Sequence, residues 1–114
     1  MYLSFCLQKC GQMNYIKVNW IHNLPDSPTV LFSEINDDGW EIRKVEVFSD
    51  GRIGYADPVE TTPLTKTRLS IVQFPTFDEI TSDPQFQPTE ITNDEFEAVW
   101  SRRNLSDTNQ HGNK

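Results

Sequence analysis

Apolar and polar residues alternate along four segments of the first half of the chain, which is the pattern of half-buried β-strands. The segments are YIKVNWIH (15–22), TVLFSEI (29–35), WEIRKVEVFS (40–49) and RIGYAD (52–57). Two short turn sequences follow strands, NDDG (36–39) and SDG (49–51), each with a glycine where a tight turn needs a positive φ. Because short turns join antiparallel neighbours, the sequence predicts a four-stranded meander.

Two details of this sheet stay open in the sequence. In the third strand Trp40 and Ile42 have one parity, whereas Val45 and Val47 have the other. Either a β-bulge lies near Arg43–Lys44 or both faces of the strand are partly covered. After a polar loop over 58–68, LSIVQF (69–74) predicts a short fifth strand.

The last third of the chain changes to helical patterns. Thr76 is a candidate N-cap for one or two helical turns over 77–82, which Pro84 would stop. TNDEFEAVWSRR (92–103) predicts the longer helix, with Thr92 as N-cap and Glu95 completing a capping box. Strands followed by helices indicate an α+β fold, an antiparallel four- to five-stranded sheet with the C-terminal helices packed on one face.

The domain is predicted to span residues 13–103. Met13 directly precedes the first strand, so residues 1–12 are interpreted as an N-terminal extension with Met13 as an alternative start; a short extra strand or helix is the other interpretation. Residues 104–114 are polar, contain His111 and predict a disordered tail.

Charge is the first functional indication. The chain has 17 acidic and 10 basic residues, a net charge of −7. Such a balance disfavours nucleic acid and anionic lipid and favours a basic protein partner. The alternative is that the charge serves solubility alone.

The negative charge is concentrated in one stretch. No Lys or Arg lies between Arg68 and Arg102, whereas the same stretch carries seven acids. The candidate partner-binding residues are Asp78, Glu79, Asp83, Glu90, Asp94 and Glu97. If the two helices lay side by side they would form one negative face, with exposed aromatics such as Trp40 or Phe86 as binding hot spots. The alternative is that helix N-termini simply favour acids, on a solvated surface.

No recognisable catalytic or metal-binding motif is present. Cys6 and Cys10 lack the further ligands that structural zinc needs, and His22 is the single histidine of the predicted domain. We therefore predict no catalytic residue, no cofactor and no metal. The alternative is an uncharacterised enzyme or small-ligand site around His22, Arg52 and Asp57, which would be marked by a deep pocket with perturbed titratable groups.

A nucleic-acid-binding sheet is the third hypothesis. Aromatic residues on the strands, which can stack on bases, lie in sequence beside basic ones. The residues are Tyr15, Trp20 and Tyr55 with Lys17, Arg43, Lys44 and Arg52. The net charge opposes this interpretation.

Localisation follows from what the sequence lacks. No segment approaches the ~20 apolar residues of a membrane span, and the opening MYLSFCLQKCGQ has neither the basic region nor the apolar length of a signal peptide. Together with the few cysteines, this predicts a cytoplasmic protein.

Several segments together resemble a family of small bacterial proteins of unknown function. They are YIKVNWIHNLPDSPTVLFSEI, EIRKVEVFSDGRIGYAD, FDEITSDPQF and ITNDEFEAVW, and the resemblance covers about residues 15–100. It implies no activity and no site residues. By analogy of size and charge, we expect a non-enzymatic protein-interaction domain, most specifically an immunity protein that neutralises a basic toxin domain.

Overall fold

A computed structural model describes residues 12–62 and 65–103. The strands are β1 (Met13–Trp20), β2 (Pro28–Asn36), β3 (Glu41–Phe48), β4 (Ile53–Ala56) and β5 (Phe86–Ile91), and the helices are α1 (Phe77–Thr81) and α2 (Asn93–Ser101). The sheet has the order β4-β3-β2-β1-β5, and every neighbouring pair is antiparallel. This confirms the α+β class and the four-stranded meander.

The fifth strand differs from the prediction. Residues 69–74 form no strand; the fifth strand is β5, which pairs with β1 at the edge of the sheet. Pro88 lies inside β5, and a proline is tolerated there because an edge strand has one side without a partner strand. The segment 69–74 has strand-like composition, but its ends are held by other contacts, Ser70 N with the Glu41 carboxylate and Phe74 N with Gly39 O.

The turns and the irregular third strand agree with the sequence pattern. Gly39 and Gly51 have φ values of +89° and +93°, the left-handed conformation that these turns require. The register between β2 and β3 shifts where Glu34 pairs with Arg43 and Ile35 with Glu41, which leaves Ile42 as an extra residue. The bulge therefore lies one residue before the predicted position.

One face of the sheet is covered by α2, and we call it the α2 face. Tyr15 lies opposite Glu34, and Glu34 lies opposite Arg43, so these three side chains point to the same side. Phe96 of α2 packs there, with its ring centroid 5.3 Å from that of Tyr15. Phe96 is fully buried and forms the centre of this half of the core.

The other face, which we call the α1 face, is covered by α1 and the irregular segment before it. Val18 and Leu31 lie opposite each other on this side, and both line one cavity with Ile80 of α1. The two helices therefore lie on opposite faces of the sheet, and the prediction that both pack on one face is wrong in this respect. Phe96 belongs to the Tyr15 side of β1, not to the side of Val18.

Both helices begin as the sequence predicts. Thr76 and Thr92 each accept a hydrogen bond from the backbone N–H three residues later, and the glutamate at that position bonds back to the threonine N–H. These two capping boxes fix the first turn of each short helix by local contacts. None of the helices among the described residues is long and apolar enough to cross a membrane.

Some predictions fall outside the described residues. They concern the extension, with Cys6 and Cys10, and the polar tail over 104–114, with His111. They stay predictions.

Replacing Phe96 by alanine is expected to reduce the free energy of unfolding by about 3–5 kcal/mol, because it empties a fully buried aromatic site. Phe77→Ala makes the same change at a side chain that is 42% exposed, and should cost less than about 1 kcal/mol. Urea denaturation of both variants measures the difference. Equal losses would contradict the assignment of Phe96 to the core.

Candidate functional site

Four of the six predicted acids lie on the α1 side of the sheet. Asp78 and Glu79 are in the first turn of α1, Asp83 lies just after it, and Glu90 pairs with Ile16 on β1. Glu90 lines a small cavity with Thr76 and Phe77, while Glu79 and Asp83 line a larger one. The structure thus brings these four acids around one helix.

The other two acids, Asp94 and Glu97, lie on α2, so the single acidic face predicted from the sequence is divided between two sides. Glu97 is also engaged internally, because its carboxylate accepts hydrogen bonds from Arg43 at 2.5 Å (Nη2–Oε2) and 3.3 Å (Nη1–Oε1). The bonds from the Arg43 guanidinium lower the pKa of Glu97. Its charge therefore stabilises the fold.

Four large apolar side chains are exposed near α1. Phe74 N donates to Gly39 O at 2.7 Å, which ties the β2–β3 turn to the segment preceding α1. The exposed side chains lie within three residues of this bond along the chain. They are Trp40 and Phe77, each 42% exposed, Val72, 63% exposed, and Ile71, 90% exposed. The exposure of Trp40 agrees with the prediction of an exposed aromatic side chain at this position.

Phe86, the other predicted hot spot, is half-buried, and its ring stacks on Trp20 with a centroid distance of 5.5 Å. It therefore belongs to the packing of β5 against β1.

A cavity of about 360 Å³ lies between α1 and the sheet. Its wall is mainly apolar, with Val18 and Leu31 from the sheet and Phe74 and Ile80 from the cover. Glu41 lines one end and is almost completely buried.

The Glu41 carboxylate is held by three donors from different parts of the chain. Oε2 accepts from Ser33 Oγ at 2.7 Å, and Oε1 accepts from Ser70 N at 2.8 Å. Lys44 Nζ lies 3.2 Å from Oε1 and also donates to Arg68 O at 2.9 Å. A buried carboxylate with these partners anchors the segment around Ser70 to β3.

Comparison with known families assigns the chain to a family. The model of the domain of unknown function DUF6881 covers residues 14–105. The chain belongs to this family. No curated protein and no solved structure matches the chain.

The alternative site of the DUF6881 chain around His22, Arg52 and Asp57 is not assembled, because each residue stabilises its own turn. His22 Nδ1 accepts from Leu24 N and its Nε2 donates to Pro28 O, which fixes the tautomer. Arg52 Nε donates to Asp50. Asp57 Oδ1 accepts from the Glu60 and Val59 amides, and these bonds lower its pKa.

The aromatic and basic strand residues of the DUF6881 chain also do not form one surface. Tyr15, Tyr55 and Arg43 lie beneath α2, in contact with its aromatic rings or with Arg103. Lys44 lies on the opposite face, paired with Glu41. Stacking platforms for bases need exposed rings beside basic groups.

Within residues 12–62 and 65–103, no group of three His, Cys, Asp or Glu side chains is placed to hold a metal ion. The side chains that line the larger cavity also include no cysteine or histidine.

Sequence reasoning missed two features of this region. The first is Glu41, which the sequence analysis does not single out; the bulge at Ile42 turns it, with Ser33 and Lys44, toward the cavity. Ile71 and Val72 lie in the segment 69–74, for which the sequence predicts a short fifth strand, but they are exposed in an irregular segment. The irregular parity around Ile42 was the one signal in the sequence that pointed to the first feature.

Glu97→Gln is expected to weaken the acid dependence of folding. The folded pKa of Glu97 lies below its unfolded value of about 4.3, so its stabilising effect is present above about pH 4.3 and is lost as the pH falls through the folded pKa. Wild type should therefore lose more stability than the variant between about pH 5 and pH 2, measured by urea denaturation. Asp94→Asn, which removes a charge from the same helix, should keep the wild-type dependence; identical profiles for wild type and Glu97→Gln would contradict the assignment.

Proposed function

We propose that the chain is a non-enzymatic protein-interaction domain that binds a basic protein partner. The binding surface, which we call the α1 surface, has an apolar centre and an acidic rim. The centre is Trp40, Ile71, Val72 and Phe77, and the rim is Asp78, Glu79, Asp83 and Glu90.

The observation that carries the proposal is the exposure of apolar side chains beside these acids. Ile71 is 90% exposed and Val72 is 63% exposed, on a segment that is tied to the sheet by the Gly39–Phe74 bond and by Ser70 N to Glu41. Exposed apolar patches with polar rims are typical of interaction surfaces. Because the segment is anchored at both ends, little ordering entropy would be lost on binding.

The charge at the rim favours a cationic partner. Asp78 and Glu90 form no ion pair within the described residues, and Glu79 and Asp83 accept hydrogen bonds from backbone amides only. No basic residue occurs between Arg68 and Arg102 to neutralise them. Uncompensated negative charge speeds association with basic proteins and disfavours the binding of acidic ones.

In its most specific form, the proposal is a cytoplasmic immunity protein that covers the surface of a basic toxin domain. A nuclease-like toxin needs cationic side chains to hold phosphates, and these are complementary to the acidic rim. The support is the net charge of −7, the small size and the accessible Trp40 at the apolar centre.

A second candidate function is small-ligand binding. The observation that favours it is the cavity of about 360 Å³ beneath α1, which is within the usual size of ligand pockets.

Asp78→Lys and Asp94→Lys form a matched pair that tests the α1 surface. Both residues occupy the second position of a helix that begins with the same capping box, but on opposite faces of the sheet. A partner is first recovered from the native lysate and identified by mass spectrometry, and its affinity is then measured by calorimetry at low and moderate salt. We expect Asp78→Lys to weaken binding by about one order of magnitude at low salt, and Asp94→Lys to leave it almost unchanged.

The two variants also control for folding, because each places a lysine in the first turn of a short helix and should lose similar stability. Equal effects on affinity, or a partner without net positive charge, would remove the support for the acidic rim.

A photo-crosslinker at Trp40 tests the apolar centre independently of charge. p-Benzoylphenylalanine at position 40 is expected to form a covalent adduct with the partner, because Trp40 is exposed at the proposed centre. The same group at Gln87, an exposed position of β5 directed to the α2 face, should not. Crosslinking at Gln87 and none at Trp40, read by mass spectrometry, would place the interface on the other face.

A further inference from the structure

The larger cavity is an elongated cleft that runs across the strands. Its floor has Lys44 on β3, Leu31 on β2, Val18 on β1 and Phe86 on β5, in the order of the sheet. Neighbouring strands lie about 4.8 Å apart, so three strand spacings make the floor about 14 Å across, measured perpendicular to the strands. The cover is Phe74, Pro75 and Ile80.

The end of the cleft at β3 is polar but neutralised. The buried Glu41 carboxylate and the Lys44 ammonium are 3.2 Å apart, and each has a further partner, Ser33 Oγ at 2.7 Å from Glu41 and Arg68 O at 2.9 Å from Lys44. The opposite charges cancel at this distance. This end therefore closes the cleft without selecting a charged ligand.

The end of the cleft at β5 has uncompensated negative charge. Asp83 lies there, because Phe86 N donates to Asp83 O at 3.0 Å, and Glu79 lines the same cleft from α1. Within the described residues, the Asp83 carboxylate accepts a hydrogen bond only from the Gln85 amide, and the Glu79 carboxylate only from the Thr76 amide. The middle of the cleft, by contrast, is formed by aliphatic and aromatic side chains.

We propose that this cleft binds a small organic amine with an elongated apolar body. The body would lie over Val18 and Leu31 beneath Ile80, and the ammonium group would lie at the rim with Asp83 and Glu79. An anionic ligand with the same body would meet two carboxylates at the only end whose charge is not cancelled. The inference uses the interior of the cleft; it rests on the second candidate function, small-ligand binding, and does not depend on the protein-interaction proposal.

The test uses three compounds that share a phenyl ring and a four-methylene chain, 4-phenylbutylamine, 4-phenylbutanol and 5-phenylpentanoate. Each has about eleven to thirteen non-hydrogen atoms, which predicts a dissociation constant in the low millimolar range for the amine. Titration of the isotope-labelled full chain, followed by amide shifts in NMR spectra, gives affinity and location together. We expect saturable shifts at residues of the cleft. The amine should bind about tenfold more tightly than the carboxylate, and the affinity of the alcohol should lie between theirs.

Two variants separate the apolar and the charged parts of the site. Leu31→Trp fills the cleft and should lower the affinity for all three compounds at least about tenfold. Val30→Trp places the same side chain on the opposite face of β2 and should leave these affinities unchanged. The pair Glu79→Gln and Asp83→Asn removes both charges but keeps a side-chain oxygen at each position to accept from the Thr76 and Gln85 amides. It should reduce the preference for the amine over the carboxylate to about threefold or less.

Several results would overturn the proposal. They are an absence of saturable binding, equal affinity for amine and carboxylate, or shifts confined to residues outside the cleft. If Leu31→Trp fails to fold, the location of the wild-type shifts and the response of the charge variant still decide, since neither needs that substitution.

Discussion

The guanidinium group of Arg43 holds the α2 face together. It is bonded to the buried Glu34 at 2.6 Å (Nε–Oε1) and to Glu97, and its central carbon lies 4.9 Å from the ring centroids of both Phe96 and Trp100. These contacts join β2, β3 and α2. The desolvation of a buried charge is offset here by two carboxylates and two aromatic faces.

The surroundings of Arg43 are consistent with this role. Tyr15 donates to Glu34 Oε2 at 3.0 Å, and burial together with this hydrogen bond raises the pKa of Tyr15 to about 12. Arg103, at the end of α2, lies over Trp100 and Tyr55. The α2 face is thus closed by arginine side chains packed against aromatic rings. Glu97 of α2 contributes to this packing through its ion pair with Arg43.

The α1 face is closed less completely, and this difference is what leaves surface for binding. Its cover is a helix of five residues and an irregular segment, anchored by the buried Glu41 and by the Gly39–Phe74 bond. Such a cover cannot fill the space above Val18 and Leu31, so a cavity remains and Ile71 and Val72 stay in solvent. On the closed face the charge of Glu97 serves stability. On the open face Glu41 is paired with Lys44, whereas Asp78, Glu79, Asp83 and Glu90 form no ion pair among the described residues.

Local chemistry explains which parts of this arrangement could be predicted from the sequence. Alternation, Asp-Gly turns and capping threonines act over a few residues, so β1–β4 and both helix starts were predictable. The pairing of β5 with β1 and the side taken by each helix depend on contacts distant in sequence. Asp78 and Asp94 illustrate the limit. Each follows a threonine N-cap by two residues, so local sequence makes them equivalent. They are separated by tertiary contacts that hold α2 on its own face, those of Arg43 with Glu97 and of Phe96 with Tyr15.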